Sequence, residues 1–223
     1  MSTIELFERS SVELPMREVY RYMGFGANTP PENVLTALED VKREVLAASK
    51  FRACFLRVPV RIDGDTVDLG FDRIASKSLR RNLDGCREAW LFCATIGVGA
   101  DRLIARYAAG KPSASVMADA VATAAIEAFC DELCDALGRE VPLRPRFSPG
   151  YGDVPLEEQK KLLPYLDAAR KVGVTLTDSL LMTPTKSVSA FAGIGAPCQT
   201  REAQGKCRAC NKTDCAYRRE DAS

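Results

Sequence analysis

The 223-residue sequence contains no histidine. This absence excludes the Ser-His-Asp and Cys-His arrangements of nucleophilic catalysis, as well as His-ligated haem. It also excludes every zinc site that uses an imidazole ligand. Any chemistry carried by this chain must therefore rest on other side chains or on a partner.

The chain also lacks an excess of charge of either sign, because it contains 31 Lys and Arg residues and 30 Asp and Glu residues. No overall field draws the chain to nucleic acid or to an anionic membrane surface. No apolar run approaches the roughly 20 residues of a membrane helix, and the early charges of residues 1–9 do not fit a signal peptide. We expect a cytoplasmic protein that contacts neither nucleic acid nor membrane.

Cysteine is plentiful, with nine residues, an odd number in a chain without an export signal. Thiols or metal thiolates are therefore expected rather than disulfides. Five of the nine lie in apolar surroundings and are expected to be small buried hydrophobes: Cys54, Cys86, Cys93, Cys130 and Cys134. The i, i+4 spacing of Cys130 and Cys134 leaves metal binding open as an alternative.

The hydrophobic periodicity mixes helices with strands. It predicts helices over residues 14–24, 28–49, 76–83, 100–109, 112–137 and 156–172, the last interrupted at Pro164. A hairpin around Asp63-Gly64 and strands over 89–96 and 187–194 complete the pattern. We expect an α+β fold in which a mixed or antiparallel twisted sheet packs with helices. A dinucleotide-binding loop at Gly97-Val-Gly99 is the alternative, but it lacks the third glycine.

The composition changes after Gly195, which divides the chain into a domain of residues 1–195 and a tail of residues 196–223. The tail carries Cys198, Cys207, Cys210 and Cys215 in a polar segment. Four thiolates at this spacing suit a tetrahedral zinc site or an iron–sulfur cluster, which would order the tail through metal binding. Surface thiols or a redox Cys-x-x-Cys are the alternatives.

Four segments with distinctive sequences follow one another in the second half of the chain. They are Arg146-Phe-Ser-Pro-Gly150-Tyr151, Leu176-Thr-Asp-Ser179, Met182-Thr-Pro184 and Ser187-Val-Ser189. In order and spacing they resemble the activation domain of cobalamin-dependent methionine synthase, which carries an Arg-x-x-x-Gly-Tyr loop and a Ser-Val-Ser strand. Glu127-Ala-Phe129 resembles an upstream segment of the same family. The N-terminal third does not align with the large enzyme and is more similar to the stand-alone form of that domain, here with a C-terminal cysteine cluster.

The resemblance implies a site for S-adenosylmethionine lined by Arg146, the backbone at Ser148 and Gly150, and Tyr151, with Glu127 nearby. A guanidinium can hold the ligand carboxylate in a bidentate fork, and Gly150 lets the backbone approach the ligand closely. Taken alone, the loop favours a rigid Pro/Gly turn whose arginine caps a helix C-terminus, whereas the downstream segments in register favour the ligand site. The tyrosine pair that follows the Ser-Val-Ser strand in the family is replaced here by Phe191-Ala-Gly-Ile.

The implied function is reactivation of a corrinoid enzyme. A flavodoxin- or ferredoxin-type donor reduces cob(II)alamin held by a partner methionine synthase or corrinoid protein, and the reduced cobalt takes the methyl group of S-adenosylmethionine. A low-potential [4Fe-4S] cluster in the tail would suit such a protein, with zinc as the alternative. Two rival functions remain, namely a zinc-stabilised interaction module and a methyltransferase that needs no corrinoid.

Overall fold

The computed structural model describes residues 3–195 and is built on an antiparallel sheet with the strand order β1-β2-β6-β9. A three-stranded sheet, β3-β4-β5, and a two-stranded sheet, β7-β8, are separate from it. The nine strands of this part of the chain are β1 Glu5–Arg9, β2 Phe51–Pro59, β3 Arg61–Asp63, β4 Thr66–Asp68, β5 Arg73–Ala75, β6 Glu88–Thr95, β7 Thr175–Leu176, β8 Met182–Thr183 and β9 Ser187–Ile194. The expected α+β class with an antiparallel sheet is confirmed.

The helices agree with the hydrophobic periodicity apart from one break. They are α1 Met16–Tyr22, α2 Glu32–Ala48, α3 Lys77–Asn82, α4 Val98–Gly110, α5 Pro112–Leu137, α6 Gln159–Tyr165 and α7 Ala168–Val172, with a 3-10 turn at Leu156–Glu158. The expected interruption of the last helix is present, but it does not fall at Pro164, which lies inside α6. The chain breaks instead at Asp167, whose φ of 49° is left-handed.

The main sheet separates two hydrophobic cores. Along β2, Phe51, Ala53 and Phe55 join one core, whereas Cys54, Leu56 and Val58 join the other. Helices α1, α2, α4 and α5 cover the first face. Helices α3, α6 and α7 and the three-stranded sheet cover the second. Because both faces of the central strands are buried, they read as continuous apolar runs rather than as alternating ones.

The longest helix, α5, is the centre of the first core, with Val121, Ala125 and Phe129 fully buried. By length and composition it is apolar enough to cross a membrane, contrary to the expectation that no run approaches that length. Within the fold, 61% of its most apolar window is buried. This burial is typical of the core helix of a folded domain. The apolar side chains of α5 pack against α2, α4 and the sheet.

The five cysteines outside the tail are free thiols, and four of them are buried, as predicted, whereas Cys134 is half-buried. Cys54 and Cys93 are direct cross-strand neighbours on β2 and β6. Burial raises the pKa of the Cys54 thiol to about 11 and raises that of Cys93 well above its usual range. Within residues 3–195 no cluster of three metal-ligating side chains occurs, so the Cys130–Cys134 spacing is not part of one.

The glycines after β6 serve the packing of α4. A Cβ on Gly99 would lie 2.0 Å from the carbonyl oxygen of Ala48 at the end of α2. Glycine is therefore required for the close approach of the two helices. The dinucleotide alternative has no support in this arrangement.

Candidate functional site

Arg146 lies between the main sheet and α5, where its guanidinium meets two carboxylates. Its Nη2 donates to Glu127 Oε2 at 3.0 Å and lies 2.8 Å from Asp131 Oδ1. Glu127 and Asp131 are one helical turn apart on α5, so one guanidinium nitrogen reaches both. The second terminal nitrogen, Nη1, is buried and has no hydrogen-bond partner among the described residues. The two N–H groups of Arg146 Nη1 are thus unused within residues 3–195.

The segment before this site runs alongside β9 as an irregular strand. Arg144 N–H donates to the Gly193 carbonyl at 2.8 Å, and Phe147 and Phe191 exchange backbone hydrogen bonds of 2.9 and 2.7 Å. Prolines at positions 142, 145 and 149 favour extended backbone here. Phe147 packs on the second core, while the preceding residue, Arg146, reaches α5 on the opposite side of the sheet.

The chain then turns tightly through the residues that the resemblance assigns to the ligand. Tyr151 N–H donates to the Ser148 carbonyl and Gly150 N–H donates to the Val154 carbonyl, both at 3.0 Å. Gly150 has a φ of 85°, which is left-handed and favours glycine. Tyr151 is 46% exposed, and its ring meets the Phe147 ring edge to face, with centroids 6.2 Å apart. A flat aromatic surface is therefore presented beside the sheet edge.

Beyond Phe147 the outer edge of β9 has no strand partner among residues 3–195, and we call this stretch the open edge of β9. Phe191 directs its N–H and C=O toward Phe147, so the same groups of Ser189, two residues earlier, also point away from β6. In this register Ser189 lies opposite Pro149, which has no N–H to donate. Within the described part of the chain no further strand pairs with this stretch of β9. The backbone N–H and C=O of Ser189 thus have no described strand partner next to the Gly150 turn, although the residue itself is buried.

A second ion pair ties α5 to β9 at the other end of this edge. Lys186 Nζ lies 2.8 Å from Asp119 Oδ1 and donates to Thr123 Oγ1 at 3.0 Å. Val188, half-buried, faces α5 between Lys186 and the Arg146 region. The open stretch of β9 is therefore framed by one cation at each end.

The electrostatics around Arg146 favour a ligand with a surplus of positive charge. One guanidinium faces two carboxylates, of which Asp131 is 69% exposed. Burial raises the pKa of the neighbouring Cys134 thiol to about 11 and raises that of Cys130 further, so both remain neutral thiols. The local group of ionised side chains therefore carries one negative charge in excess.

The sequence-predicted residues fall into one neighbourhood. Arg146 contacts Glu127, and Ser148, Gly150 and Tyr151 form the adjoining turn. The alternative in which the arginine caps a helix C-terminus is wrong, because Glu127 and Asp131 lie inside α5. The metal-ligand candidates Cys198, Cys207, Cys210 and Cys215 lie outside the described residues.

Two features of the site escaped the sequence analysis. Asp131 could have been found from its position one helical turn after Glu127. The open edge of β9 has no local sequence signal except Pro149, because it depends on which segment lies beside the strand. Both belong to the contacts that the tertiary fold creates.

Comparison with known proteins found one family match and a structural likeness. Residues 143–220 match the family model described as vitamin B12 dependent methionine synthase, activation domain. The structure is similar to a crystal structure of the MetH reactivation domain bound to AdoHcy, with a TM-score of 0.63 and 15% sequence identity. That likeness covers 89% of this chain and 80% of the other. The chain has the fold of a methionine synthase reactivation domain.

The reactivation-domain fold extends beyond the sequence match. The family model covers about the last third of the chain, whereas the structural likeness includes the N-terminal part that the sequence resemblance did not reach. No curated protein matches the chain in sequence. At this low identity the structural likeness establishes the fold, and the function must be argued from the site.

Proposed function

We propose that this protein binds S-adenosylmethionine beside Arg146 and supports the reductive methylation of cobalamin in a partner methionine synthase or corrinoid methyltransferase. The observation that carries the proposal is the buried, unpartnered Nη1 of Arg146 beside two carboxylates and an open strand edge. A buried donor without a partner costs free energy, which a ligand carboxylate would recover. The family match over residues 143–220 supports the choice of ligand.

The charges of the site complement those of the ligand. S-adenosylmethionine carries a carboxylate, an ammonium and a sulfonium, which sum to one positive charge. Arg146 can hold the carboxylate, while Glu127 and Asp131 attract the two cationic groups. The excess negative charge of the site is thereby neutralised. The similar reactivation domain was solved with AdoHcy, a related nucleoside without the sulfonium.

The remaining ligand contacts would come from the turn and the strand edge. Tyr151 offers an exposed ring on which an adenine can stack, and the Ser189 backbone offers hydrogen-bond donors and acceptors to its polar edge. Both groups are fixed by the backbone pairing of Phe147 with Phe191. The chain would thus bind and orient the sulfonium methyl group without an acid or a base.

The corrin belongs to the partner in this proposal, because a chain without histidine cannot supply an imidazole to its cobalt. The partner's cobalamin, reduced from cob(II) to cob(I) by one electron from a flavodoxin- or ferredoxin-type donor, would attack the methyl carbon while the carbon–sulfur bond breaks. The task of this chain is to present the methyl group in line and to exclude water.

The function is tested by methyl transfer in a mixture of purified proteins. A methionine synthase without its own activation domain, inactivated as cob(II), is combined with this chain, a reductant and S-adenosylmethionine labelled at the methyl group. Label should reach the corrinoid only when all components are present. Transfer of label to a small acceptor without any corrinoid protein would favour the rival methyltransferase. Absence of any transfer would favour the interaction module.

We also propose that the tail residues Cys198, Cys207, Cys210 and Cys215 hold a [4Fe-4S] cluster, with zinc as the alternative. The support is their spacing and the suitability of thiolates for either metal. Metal analysis of anaerobically purified protein distinguishes the two. Iron with acid-labile sulfide indicates the cluster, one equivalent of zinc indicates the alternative, and neither metal refutes the proposal.

A further inference from the structure

The turn of residues 148–152, to which the proposed function assigns part of the ligand site, is attached to the rest of the protein at both ends. Its second attachment is a single carboxylate. At the first end, Phe147 pairs with β9. At the second, Asp153 reaches the start of α3, more than 70 residues earlier in the chain. It accepts hydrogen bonds from Lys77 N–H at 2.8 Å and Ser78 N–H at 3.1 Å, and a short one from the Ser76 hydroxyl.

This contact completes the capping of α3. Ser76 is the N-cap residue, and its Oγ accepts from Leu79 N–H at 3.0 Å. Asp153 satisfies the two remaining amides of the first turn, which the helix itself cannot bond. These donors and the helix dipole stabilise a negative charge, and they hold the pKa of the Asp153 carboxyl well below its usual range.

Packing of the neighbouring glycine reinforces the attachment. A Cβ on Gly152 would lie 2.7 Å from Ser78 Oγ and 3.4 Å from Phe147 Cζ. The backbone beside Asp153 thus lies directly on α3, with Tyr151 between this contact and the Phe147 anchor. The hydrogen bonds that shape the turn, from Gly150 N–H to Val154 and from Val154 N–H to Tyr151, enclose Asp153.

We propose that Asp153 is a positioning residue for the ligand site: its bonds to the first turn of α3 fix the Gly150–Tyr151 backbone beside Arg146 and the open edge of β9. The inference rests on the proposed function and adds a residue that touches neither ligand nor cofactor. Its removal should release the turn while leaving the ion pair of Arg146 with α5 intact. Preorganisation of the site, rather than a direct contact, is what would be lost.

The test compares Asp153→Ala with Ser76→Ala. Both variants weaken the capping of α3, but Ser76→Ala keeps the two backbone bonds that hold the turn. Asp153→Ala should weaken S-adenosylmethionine binding about tenfold or more by calorimetry, and Ser76→Ala about threefold or less, at similar losses of thermal stability. Asp153→Asn, whose amide oxygen can still accept one bond, should fall between them. Asp63→Asn, whose side chain is 90% exposed in the β3–β4 hairpin, serves as the control.

A second measurement reports on the turn without ligand. In Asp153→Ala, the amides of Gly150, Tyr151 and Val154 should exchange faster with deuterium, while those of α5 should keep their protection. Equal affinity losses in Asp153→Ala and Ser76→Ala would reduce Asp153 to a helix cap and overturn the inference, leaving the proposed function intact. A wild-type protein that does not bind S-adenosylmethionine would overturn both.

Discussion

Arg146 donates a 3.0 Å hydrogen bond to Glu127, a residue 19 positions earlier in the middle of α5. This bond joins the irregular strand beside β9 to the core helix and sets the edge of the candidate site. Asp131, one turn further along α5, contacts the same guanidinium nitrogen. Because two carboxylates face one cation, the site is prepared for a ligand that brings its own positive charges.

The acidic pair should therefore discriminate between S-adenosylmethionine and S-adenosylhomocysteine. Changing Asp131→Asn removes one of the two carboxylates that face the cationic groups. We expect affinity for S-adenosylmethionine to fall about three- to tenfold, which corresponds to a partly exposed charge interaction, while affinity for S-adenosylhomocysteine falls less. Calorimetric titration with both ligands checks this result.

Asp135→Asn is the matched control for that variant, since Asp135 lies one helical turn beyond Asp131 on α5 and is exposed. It should leave both affinities unchanged within about a factor of two. If Asp131→Asn weakens the two ligands equally, charge complementarity does not explain the site.

The thiols should divide into two classes of reactivity. Cys54, Cys93 and Cys130 are fully buried, and burial raises the pKa of each thiol. Because the thiolate is the reactive form, these three should resist alkylation at pH 8 in the native protein. The four tail cysteines should react quickly after metal removal by a chelator and slowly before it.

Peptide mapping by mass spectrometry after timed alkylation measures both classes. Tail cysteines that react equally fast with and without chelator would contradict metal binding. Fast labelling of Cys93 in folded protein would contradict the described core.

Glu158 gives a prediction for the pH dependence of stability. It is buried beside Asp72, and its Oε2 has no hydrogen-bond partner within the described part of the chain. Burial, and then the interaction with Asp72, raise the pKa of the Glu158 carboxyl above its usual value. The folded protein therefore favours the protonated form, and this contribution to stability is lost as the pH rises through the folded-state pKa.

Replacing Glu158→Gln should accordingly raise the melting temperature near pH 7.5, by about 2–4 °C if the gain is near 1 kcal/mol. The gain should shrink as the pH falls toward 4 and below, because the wild-type carboxyl then becomes protonated in the unfolded state as well as in the folded one. Glu157→Gln, which changes the exposed neighbour, is the control. A variant that is less stable than wild type at neutral pH would contradict this prediction. It would show that contacts in the fold offset the cost of burying the ionised Glu158 carboxylate.

The elements with strong periodicity could be predicted from sequence, and those that depend on distant partners could not. The 26-residue α5 could be predicted from Pro112 at its start, Gly138 at its end and a long apolar face. Strand β1 was missed because it is an edge strand with mostly exposed side chains, Leu6 among them. Its place in the sheet follows from pairing with β2, which no local pattern encodes.

The site shows the same division. Arg146, Gly150 and Tyr151 lie in one short motif, which made them recognisable. The role of Asp153 depends on α3, and the open edge of β9 depends on Pro149 lying opposite Ser189. These relationships arise between segments far apart in the chain, so they appear only once the backbone is folded.

The central claim concerns the guanidinium of Arg146. Arg146→Ala removes the donor for the ligand carboxylate and leaves Glu127 and Asp131 without their cation. We expect at least about a 30-fold loss of affinity for S-adenosylmethionine, equivalent to about 2 kcal/mol, with an unchanged circular dichroism spectrum. Arg146→Lys, which keeps the charge but loses the planar fork, should recover only part of the affinity. Arg139→Ala changes an exposed arginine just beyond α5 and should bind as wild type does.

Calorimetric titration of S-adenosylmethionine into the wild-type, Arg146→Ala and Arg139→Ala proteins is the most direct test of the account. Saturable binding to the first and third, and a severe loss in the second, is the predicted result. Equal affinity in all three proteins would contradict it, because the ligand would then bind without the guanidinium on which the site is built.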